Sequence, residues 1–230
     1  IDAGINLFDT SERNGTEPIL SAALKDRDSS QLILSSKRCV SIGEHRLSPS
    51  EFTEAIDNSL ATLATDCIDI FSFHGVLPEE YDYVVGELLP VFATAQSAGK
   101  VRFCGITEAF KRDTRHQMLQ RALADDHWDV IMVGYNLLNF SARSALAEKA
   151  QEKNIGILGM FAVRLLLQSE ASLLTAIIGL KKTGQLPGDI DEEELLRLLL
   201  TEDDGRMDVP ELAYRFSVTD SPVHCALMGT

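Results

Sequence analysis

Side chains that can take part in proton transfer recur at the ends of apolar runs in this sequence. Asp9, Lys37 and His74 each close such a run, and Thr107 with Glu108 closes another. A carboxylate, an ammonium group and an imidazole that meet in one place can orient a substrate and exchange protons with it. Taken singly, each residue also has an ordinary structural explanation: Asp9 as a helix cap, Lys37 as a solvated cation and His74 as a structural imidazole. Their meaning depends on the elements that position them.

Short apolar runs alternate with segments of helical spacing along the chain. The runs rich in β-branched residues predict strands at Ile5–Phe8, Leu32–Leu34, Ile68–Phe73, Val101–Ile106, Val130–Val133, Ile155–Met160 and Cys225–Met228. Helical spacing lies between most of them, and Ser48 with Glu51 has the form of a capping box before one helix. This repeated order of strand and helix indicates an α/β fold with parallel strands and crossover helices.

A doubly wound open sheet and a closed (β/α)8 TIM barrel both satisfy this alternation. No glycine-rich phosphate loop follows the first strand, which argues against the doubly wound dinucleotide-binding fold. In a barrel the carboxyl ends of the strands converge on one face, so polar residues at successive strand ends favour the barrel. The region Arg164–Val218 fits a barrel helix with an inserted helical pair. Within it, Asp191 with Glu194 predicts a helix cap, and Pro210 predicts a first helical position.

The composition limits the class of protein and its partners. The chain has 230 residues, 45% of them hydrophobic, which suits a single barrel domain over residues 1–230. Its formal net charge of −14 disfavours nucleic acid and anionic membrane surfaces as partners. The cysteines form no CxxC pair and the remaining histidines show no ligand spacing, so we expect no metal site. Reduced cysteines and the lack of an apolar span predict a cytoplasmic protein.

Several segments, taken in order along the chain, resemble motifs of the aldo-keto reductase family. They are Gly4–Ser11 (GINLFDTS), Leu34–Lys37 (LSSK), Ser59–His74 (SLxxLxxDxIDIxxxH), Gly99–Ile106 (GKVRFCGI), Tyr135–Leu138 (YNLL) and the closing Gly229-Thr230. Each motif alone is weak, but together they follow family order across nearly the whole chain. The resemblance implies a barrel that binds NADPH, with NAD not excluded, and that interconverts a small carbonyl compound and an alcohol.

The resemblance also implies roles for individual residues. Lys37 corresponds to the family's catalytic lysine, Asp9 to the aspartate that holds it, and His74 to the histidine that orients the substrate. The family's tyrosine, which gives a proton to the carbonyl oxygen, is replaced by Asn14. An amide does not release a proton near neutral pH, and losing a positioned acid costs about 10² to 10⁴ in rate. His74 is the expected substitute donor, with activity falling as pH rises through its pKa.

The cofactor positions carried over from the family depart from its usual pattern. Thr107 and Glu108 stand where a serine–asparagine pair is usual, and Met132 stands where glutamine is usual. The aromatic ring that stacks on nicotinamide falls near Met160 or Phe161. The positions expected to contact the cofactor are Thr107, Glu108, Met132, Tyr135, Phe161, Gly229 and Thr230, the last two lying where the family's segment for the adenosine phosphate begins.

Relative to the family, the chain is expected to lack the first strand and helix and the C-terminal cofactor-binding segment. Three interpretations stay open. The first is an active oxidoreductase. The second is an inactive barrel with a ligand-binding or interaction role, which Asn14, Glu108 and Met132 favour. The third is an incomplete product that folds poorly, because an open barrel exposes sheet edges that invite aggregation or pairing into a homo-oligomer.

Overall fold

The computed structural model of this chain describes residues 4–25, 27, 31–202, 205–219 and 221–229. Thr230, one of the expected cofactor contacts, lies outside these ranges. The chain divides into two compact units that interleave in sequence. The first unit comprises residues 1–133 and 144–157, and the second comprises residues 134–143 and 158–230.

Strands lie at or beside every predicted apolar run. The described strands are β1 (Leu7–Asp9), β2 (Ile33–Cys39), β3 (Ser41–Ile42), β4 (His45–Arg46), β5 (Ile68–Val76), β6 (Val101–Glu108), β7 (Val130–Gly134), β8 (Gly156–Met160), β9 (Thr201–Glu202), β10 (Gly205–Arg206) and β11 (Cys225–Ala226). β3 pairs with β4 and β9 with β10 as short antiparallel hairpins, which the apolar pattern does not predict.

Helices fill the segments between the long strands. The described α-helices are α1 (Glu17–Leu24), α2 (Pro49–Leu63), α3 (Tyr81–Tyr83), α4 (Leu89–Ser97), α5 (Gln117–Ala122), α6 (Ala142–Glu152), α7 (Glu170–Lys182), α8 (Glu192–Leu199) and α9 (Val209–Val218). A π-helical turn at Val84–Leu88 joins α3 to α4. Short 3₁₀ turns occur at Glu12–Asn14, Pro78–Glu80 and Leu165–Leu167.

The caps predicted from sequence are present. The Ser48 backbone N–H donates to the Glu51 carboxylate at 2.7 Å while the Ser48 hydroxyl accepts from the Glu51 backbone, so the capping box at the start of α2 is confirmed. At the start of α8, Asp191 accepts a hydrogen bond from the Glu194 backbone at 2.8 Å. Helix α9 begins one residue earlier than predicted, so that Pro210 is its second residue.

The first unit is built on a parallel sheet in which β1, β2, β5, β6 and β7 are neighbours in that order. Each connection between these strands crosses over before the next strand begins, so all of their carboxyl ends lie at the same edge. In register, Asp9 pairs with Ser35 and Cys39 pairs with His74. The chemically capable residues therefore end neighbouring strands, as the sequence predicts.

Aromatic side chains join α2 to this sheet. Phe52 of α2 stacks on Phe73 of β5, with ring centroids 4.9 Å apart and ring planes at 5°, and meets Phe71 edge-on. Trp128 meets the Phe73 ring at 87° and donates its indole N–H to the Tyr81 hydroxyl. All five rings are at least 95% buried, which fixes the helix over one face of β5.

The second unit has its own core. β8 pairs in parallel with β11 through Leu158 and Cys225. Helices α7, α8 and α9 enclose an apolar cluster of buried side chains, namely Leu167, Leu173, Ile177, Leu196, Leu200, Met207, Val209 and Ala213. Within the described ranges of both units, every helix is too short or too polar to cross a lipid bilayer.

Candidate active site

A buried ion pair joins the ends of β1 and β2. The Lys37 ammonium donates to Asp9 Oδ2 at 2.5 Å and to the Thr10 carbonyl oxygen at 3.0 Å. The Ser35 hydroxyl donates to the other Asp9 carboxylate oxygen at 2.8 Å. The Lys37 side chain is only 6% exposed, so its charge is compensated within the protein rather than by solvent. The pairing of Lys37 with Asp9 that the sequence predicts is thus present.

The 3₁₀ turn Glu12–Asn14 follows β1 and carries the residue that stands in place of tyrosine. Ser11 caps this turn by accepting from the Asn14 backbone N–H, and Gly15 closes it with a φ of 65° that favours glycine. The Asn14 side chain is exposed, and within the described ranges its amide group makes no hydrogen bond. Asn14 is therefore positioned by its backbone while its amide group points freely to solvent.

Two contacts tie that turn to β2. Glu12 forms an ion pair with Arg38, and the Arg13 guanidinium donates to Cys39 Sγ at 3.8 Å. Sequence reasoning did not single out Arg13 or Cys39. Their positions offered a signal, because Arg13 directly precedes Asn14 and Cys39 points to the same side of β2 as Lys37, two residues earlier.

His74 lies near the end of β5, opposite Cys39 in the sheet register. Its Nδ1 is 3.7 Å from Cys39 Sγ. Burial, followed by the positive charges of Lys37 and Arg13, lowers the pKa of His74 to about 4. A neutral imidazole at pH 7 can orient a carbonyl oxygen through an N–H group, but it holds little transferable proton. The expectation that His74 replaces tyrosine as the acid near neutral pH is therefore not supported.

The sheet register shifts between Phe73 and Val76, directly around His74. At this irregularity Gly75 adopts a φ of 65°, and its backbone N–H donates to the Thr107 hydroxyl on β6 at 2.7 Å. Thr107 is 1% exposed, so this hydrogen bond is shielded from water. Thr107, expected from the family as a cofactor contact, thus anchors the backbone that follows His74.

The other two expected cofactor positions of the first unit are also buried. The Glu108 side chain is fully buried, and its carboxylate contacts His116 Nδ1 at 2.8 Å. Met132 on β7 is 3% exposed. A side chain without accessible surface cannot touch a ligand unless it moves. The full burial of the Glu108 side chain against His116 therefore does not support direct contact between Glu108 and the cofactor.

The expected cofactor positions of the second unit differ in exposure. Tyr135 is fully buried, and its ring stacks on Phe216 with centroids 5.7 Å apart. Phe161 is partly exposed with a φ of 68°, and the Arg164 guanidinium lies 4.0 Å from its ring centroid. Gly229 is exposed, and its backbone hydrogen-bonds the Tyr214 hydroxyl. Phe161 therefore presents the aromatic surface that the sequence predicts, whereas Tyr135 serves the core of its unit.

A cavity of about 320 Å³ opens at the opposite end of the first unit's strands. Its lining includes Asp69 and Arg102, which form an ion pair at 2.8 Å, and Asp129. The carboxylate of Asp129 also accepts from the Cys104 backbone at 2.8 Å. These polar groups already pair with one another or with the backbone of the strands. The cavity lies at the strand starts and is therefore not part of the site at Lys37 and His74. In the described part of the chain, no three His, Cys, Asp or Glu side chains gather as metal ligands would.

The chain matches proteins of known type along its length. The model of the aldo/keto reductase family matches residues 1–230. A solved aldo-keto reductase from Bacillus halodurans, in its holo form, is 22% identical and has a TM-score of 0.67, over 100% of this chain and 73% of that chain. An aldo/keto reductase from Klebsiella pneumoniae, solved in complex with NADP and acetate, is 17% identical with a TM-score of 0.68, over 100% and 71%.

A curated relative matches part of the chain. The L-galactose dehydrogenase of Arabidopsis thaliana is 34% identical over 113 residues, which cover 45% of this chain and 34% of that protein. The match thus spans about a third of that relative's length. The solved structures establish the aldo-keto reductase fold, and the family model covers every residue. The chain therefore belongs to the aldo/keto reductase family.

Proposed function

We propose that this protein is a nicotinamide-dependent oxidoreductase that interconverts a small carbonyl compound and the corresponding alcohol. The observation that carries the proposal is the buried Lys37–Asp9 pair at the same sheet edge as His74. Burying two charges costs several kcal/mol per ion unless the pair is closely compensated, so stability alone is a weak reason to keep it. Family membership supports the same chemistry, and we retain the barrel architecture as part of this proposal.

The second unit offers groups that fit a nicotinamide cofactor. The partly exposed Phe161 ring can stack on nicotinamide, and the Arg164 guanidinium, which has no carboxylate partner in the described ranges, suits a phosphate. When bound, the cofactor supplies the hydride. We propose NADP as the cofactor, with NAD as the alternative, because the Klebsiella pneumoniae relative was solved with NADP.

Lys37 and His74 act on the oxygen of the carbonyl group. Neutral His74 donates a hydrogen bond that orients this oxygen. Lys37 uses two of its three N–H groups on Asp9 and Thr10, which leaves one for the substrate. As the carbonyl carbon is reduced, the developing alkoxide takes a proton from the Lys37 ammonium, and water that reaches the exposed 6% of this side chain then restores that proton. Asn14 contributes at most a hydrogen bond.

A second candidate function is a family member that binds a ligand without turnover. The observation that favours it is Asn14, whose exposed amide replaces the proton-donating tyrosine of the family. The burial of Glu108 and Tyr135 supports the same interpretation, because neither side chain presents surface to a cofactor.

Turnover of small aldehydes, followed by loss of NADPH absorbance, separates the two candidates. We expect slow reduction by the unmodified chain and none by Lys37→Met. Asn14→Tyr should restore a positioned acid and raise the rate by about 10²-fold or more. If neither the unmodified chain nor Asn14→Tyr consumes NADPH while both unfold cooperatively, the non-catalytic function replaces the proposal.

We also propose a small-molecule carbonyl substrate and a reducing, cytoplasmic location. Cys39, Cys67, Cys104 and Cys225 are all free thiols, which supports the location. Burial raises the pKa of the Cys104 thiol well above its usual value, so this thiol resists oxidation.

A further inference from the structure

Among the described residues, two of the three cations of the turn after β1 and the end of β2 pair with a carboxylate, and the third, Arg13, does not. Lys37 pairs with Asp9, and Arg38 pairs with Glu12. Arg13 has no carboxylate partner within the described ranges, and its only hydrogen bond there runs to a cysteine sulfur. An arginine without a carboxylate partner in these ranges stands out because the chain as a whole carries a net charge of −14.

Arg13 lies close to the group that orients the substrate. Its guanidinium contacts Cys39 Sγ at 3.8 Å, and the same sulfur is 3.7 Å from His74 Nδ1. After burial and Lys37, the charge of Arg13 is the next cause of the lowered pKa of His74. The positive charge of Arg13 therefore acts at the imidazole itself. A guanidinium has five N–H groups, and the weak contact with sulfur leaves most of them for another acceptor.

An acidic protein repels anions at long range, so an anionic substrate needs a dedicated local cation. Arginine suits this role because its planar fork matches the two oxygens of a carboxylate. We propose that Arg13 determines substrate specificity and that this site takes aldehydes or ketones that carry a carboxylate group. This inference rests on the proposed oxidoreductase function and names its substrate class.

The first test compares two substrates that differ only in charge. Turnover of 4-oxobutanoate is measured against its neutral methyl ester with NADPH, in the unmodified chain and in Arg13→Gln, Arg13→Lys and Arg197→Gln. We expect kcat/KM to favour the acid by roughly two- to tenfold at low salt, mainly through KM, and this preference should shrink at high salt. Arg13→Gln should abolish the preference, and Arg13→Lys should keep part of it. Arg197→Gln, which changes an exposed side chain on α8 of the second unit, should leave the preference unchanged.

The second test needs no turnover, because Arg13 contacts the Cys39 thiol. The rate at which iodoacetamide alkylates Cys39 is followed by peptide mass spectrometry with added succinate or dimethyl succinate. We expect succinate alone to slow the alkylation saturably, and Arg13→Gln to remove this protection. The partly exposed Cys67, which precedes β5 at the end opposite His74, serves as an internal reference thiol.

The outcomes separate this inference from the proposed function. Equal use of acid and ester, or a preference that survives Arg13→Gln, overturns the inference while the oxidoreductase function stands. If no substrate turns over, protection of Cys39 by succinate still supports anion binding at Arg13. The absence of this protection overturns the inference. Faster turnover of a neutral sugar such as L-galactose than of any carboxylate substrate also overturns it.

Discussion

The ammonium group of Lys37 has lost nearly all contact with water, and Asp9 supplies its only charge partner within the described ranges. Motifs in family order let the sequence predict both residues and His74, because each stands at a fixed place relative to a strand end. The sequence could not predict that Glu108 turns to His116, which lies eight residues further along the chain. Nor could it predict the lowered pKa of His74, which depends on burial and on charges brought in by other strands.

Removing one member of the Lys37–Asp9 pair should cost more stability than removing both. Asp9→Asn leaves a buried ammonium without a counter-charge, so we expect the free energy of unfolding to fall by about 3 kcal/mol. The double variant Asp9→Asn with Lys37→Met should recover a large part of this loss. Urea unfolding measures both effects, and strictly additive losses would contradict the account of the pair.

His74 should make the stability of the protein depend on pH. A histidine in the unfolded chain titrates near 6.5, whereas His74 in the folded protein titrates at about 4. Between these values the unfolded state binds more protons, so the free energy of unfolding falls as pH falls from about 6.5 to about 4.

The test of this dependence is urea unfolding at pH steps across the window. His74→Asn should flatten the slope of stability against pH, while the same change at the exposed His127 should leave it unaltered. If the stability of His74→Asn depends on pH in the same way as that of the unmodified chain, the pKa of His74 is not lowered in the folded protein.

At the scale of elements, local sequence signals worked where partners are close in the chain. Ser48 with Glu51 and Asp191 with Glu194 are three residues apart, so their caps are readable from sequence alone. The apolar run covers only Leu32–Leu34 and the family motif places the strand end at Lys37, whereas β2 continues to Cys39. Its polar residues are buried because their partners lie on other elements, as when the Ser36 hydroxyl donates to Glu17 of α1 at 2.6 Å. The spacing of apolar residues along the sequence does not predict such pairing between distant residues.

The hydrogen bond between β6 and the irregular end of β5 should set the backbone around His74. Thr107→Val keeps the side-chain shape but leaves the Gly75 N–H without its acceptor, so we expect a loss of about 1 to 3 kcal/mol in stability. Thr107→Ser retains the hydroxyl and should lose much less. Hydrogen exchange gives the direct reading: the Gly75 amide should exchange faster in Thr107→Val and be protected in Thr107→Ser. Equal protection in both variants would contradict this role.

At the scale of the whole molecule, the sequence predicts one domain over residues 1–230, because no linker interrupts the pattern. The described chain has two compact units whose residues interleave, an arrangement that a linear reading cannot reveal. Each unit has its own buried cluster, centred on Phe52 and Phe73 in the first and on Leu173 and Ile177 in the second.

A single domain should unfold in one cooperative transition despite these two clusters. Phe52→Ala and Leu173→Ala each remove a buried side chain and should cost about 3 to 5 kcal/mol. In calorimetry we expect both variants to lower the same transition. Two transitions, each shifted by only one of the variants, would show that the units unfold separately and that the prediction of one domain is wrong.

The central claim is that this family member uses a nicotinamide cofactor, and an NADPH titration followed by nicotinamide fluorescence tests it most directly. We predict saturable binding in roughly the micromolar range, weakened by Arg164→Gln and by Phe161→Leu and unchanged by Arg197→Gln. A folded, cooperatively melting protein that binds neither NADPH nor NADH would contradict the claim and leave the fold without the proposed redox function.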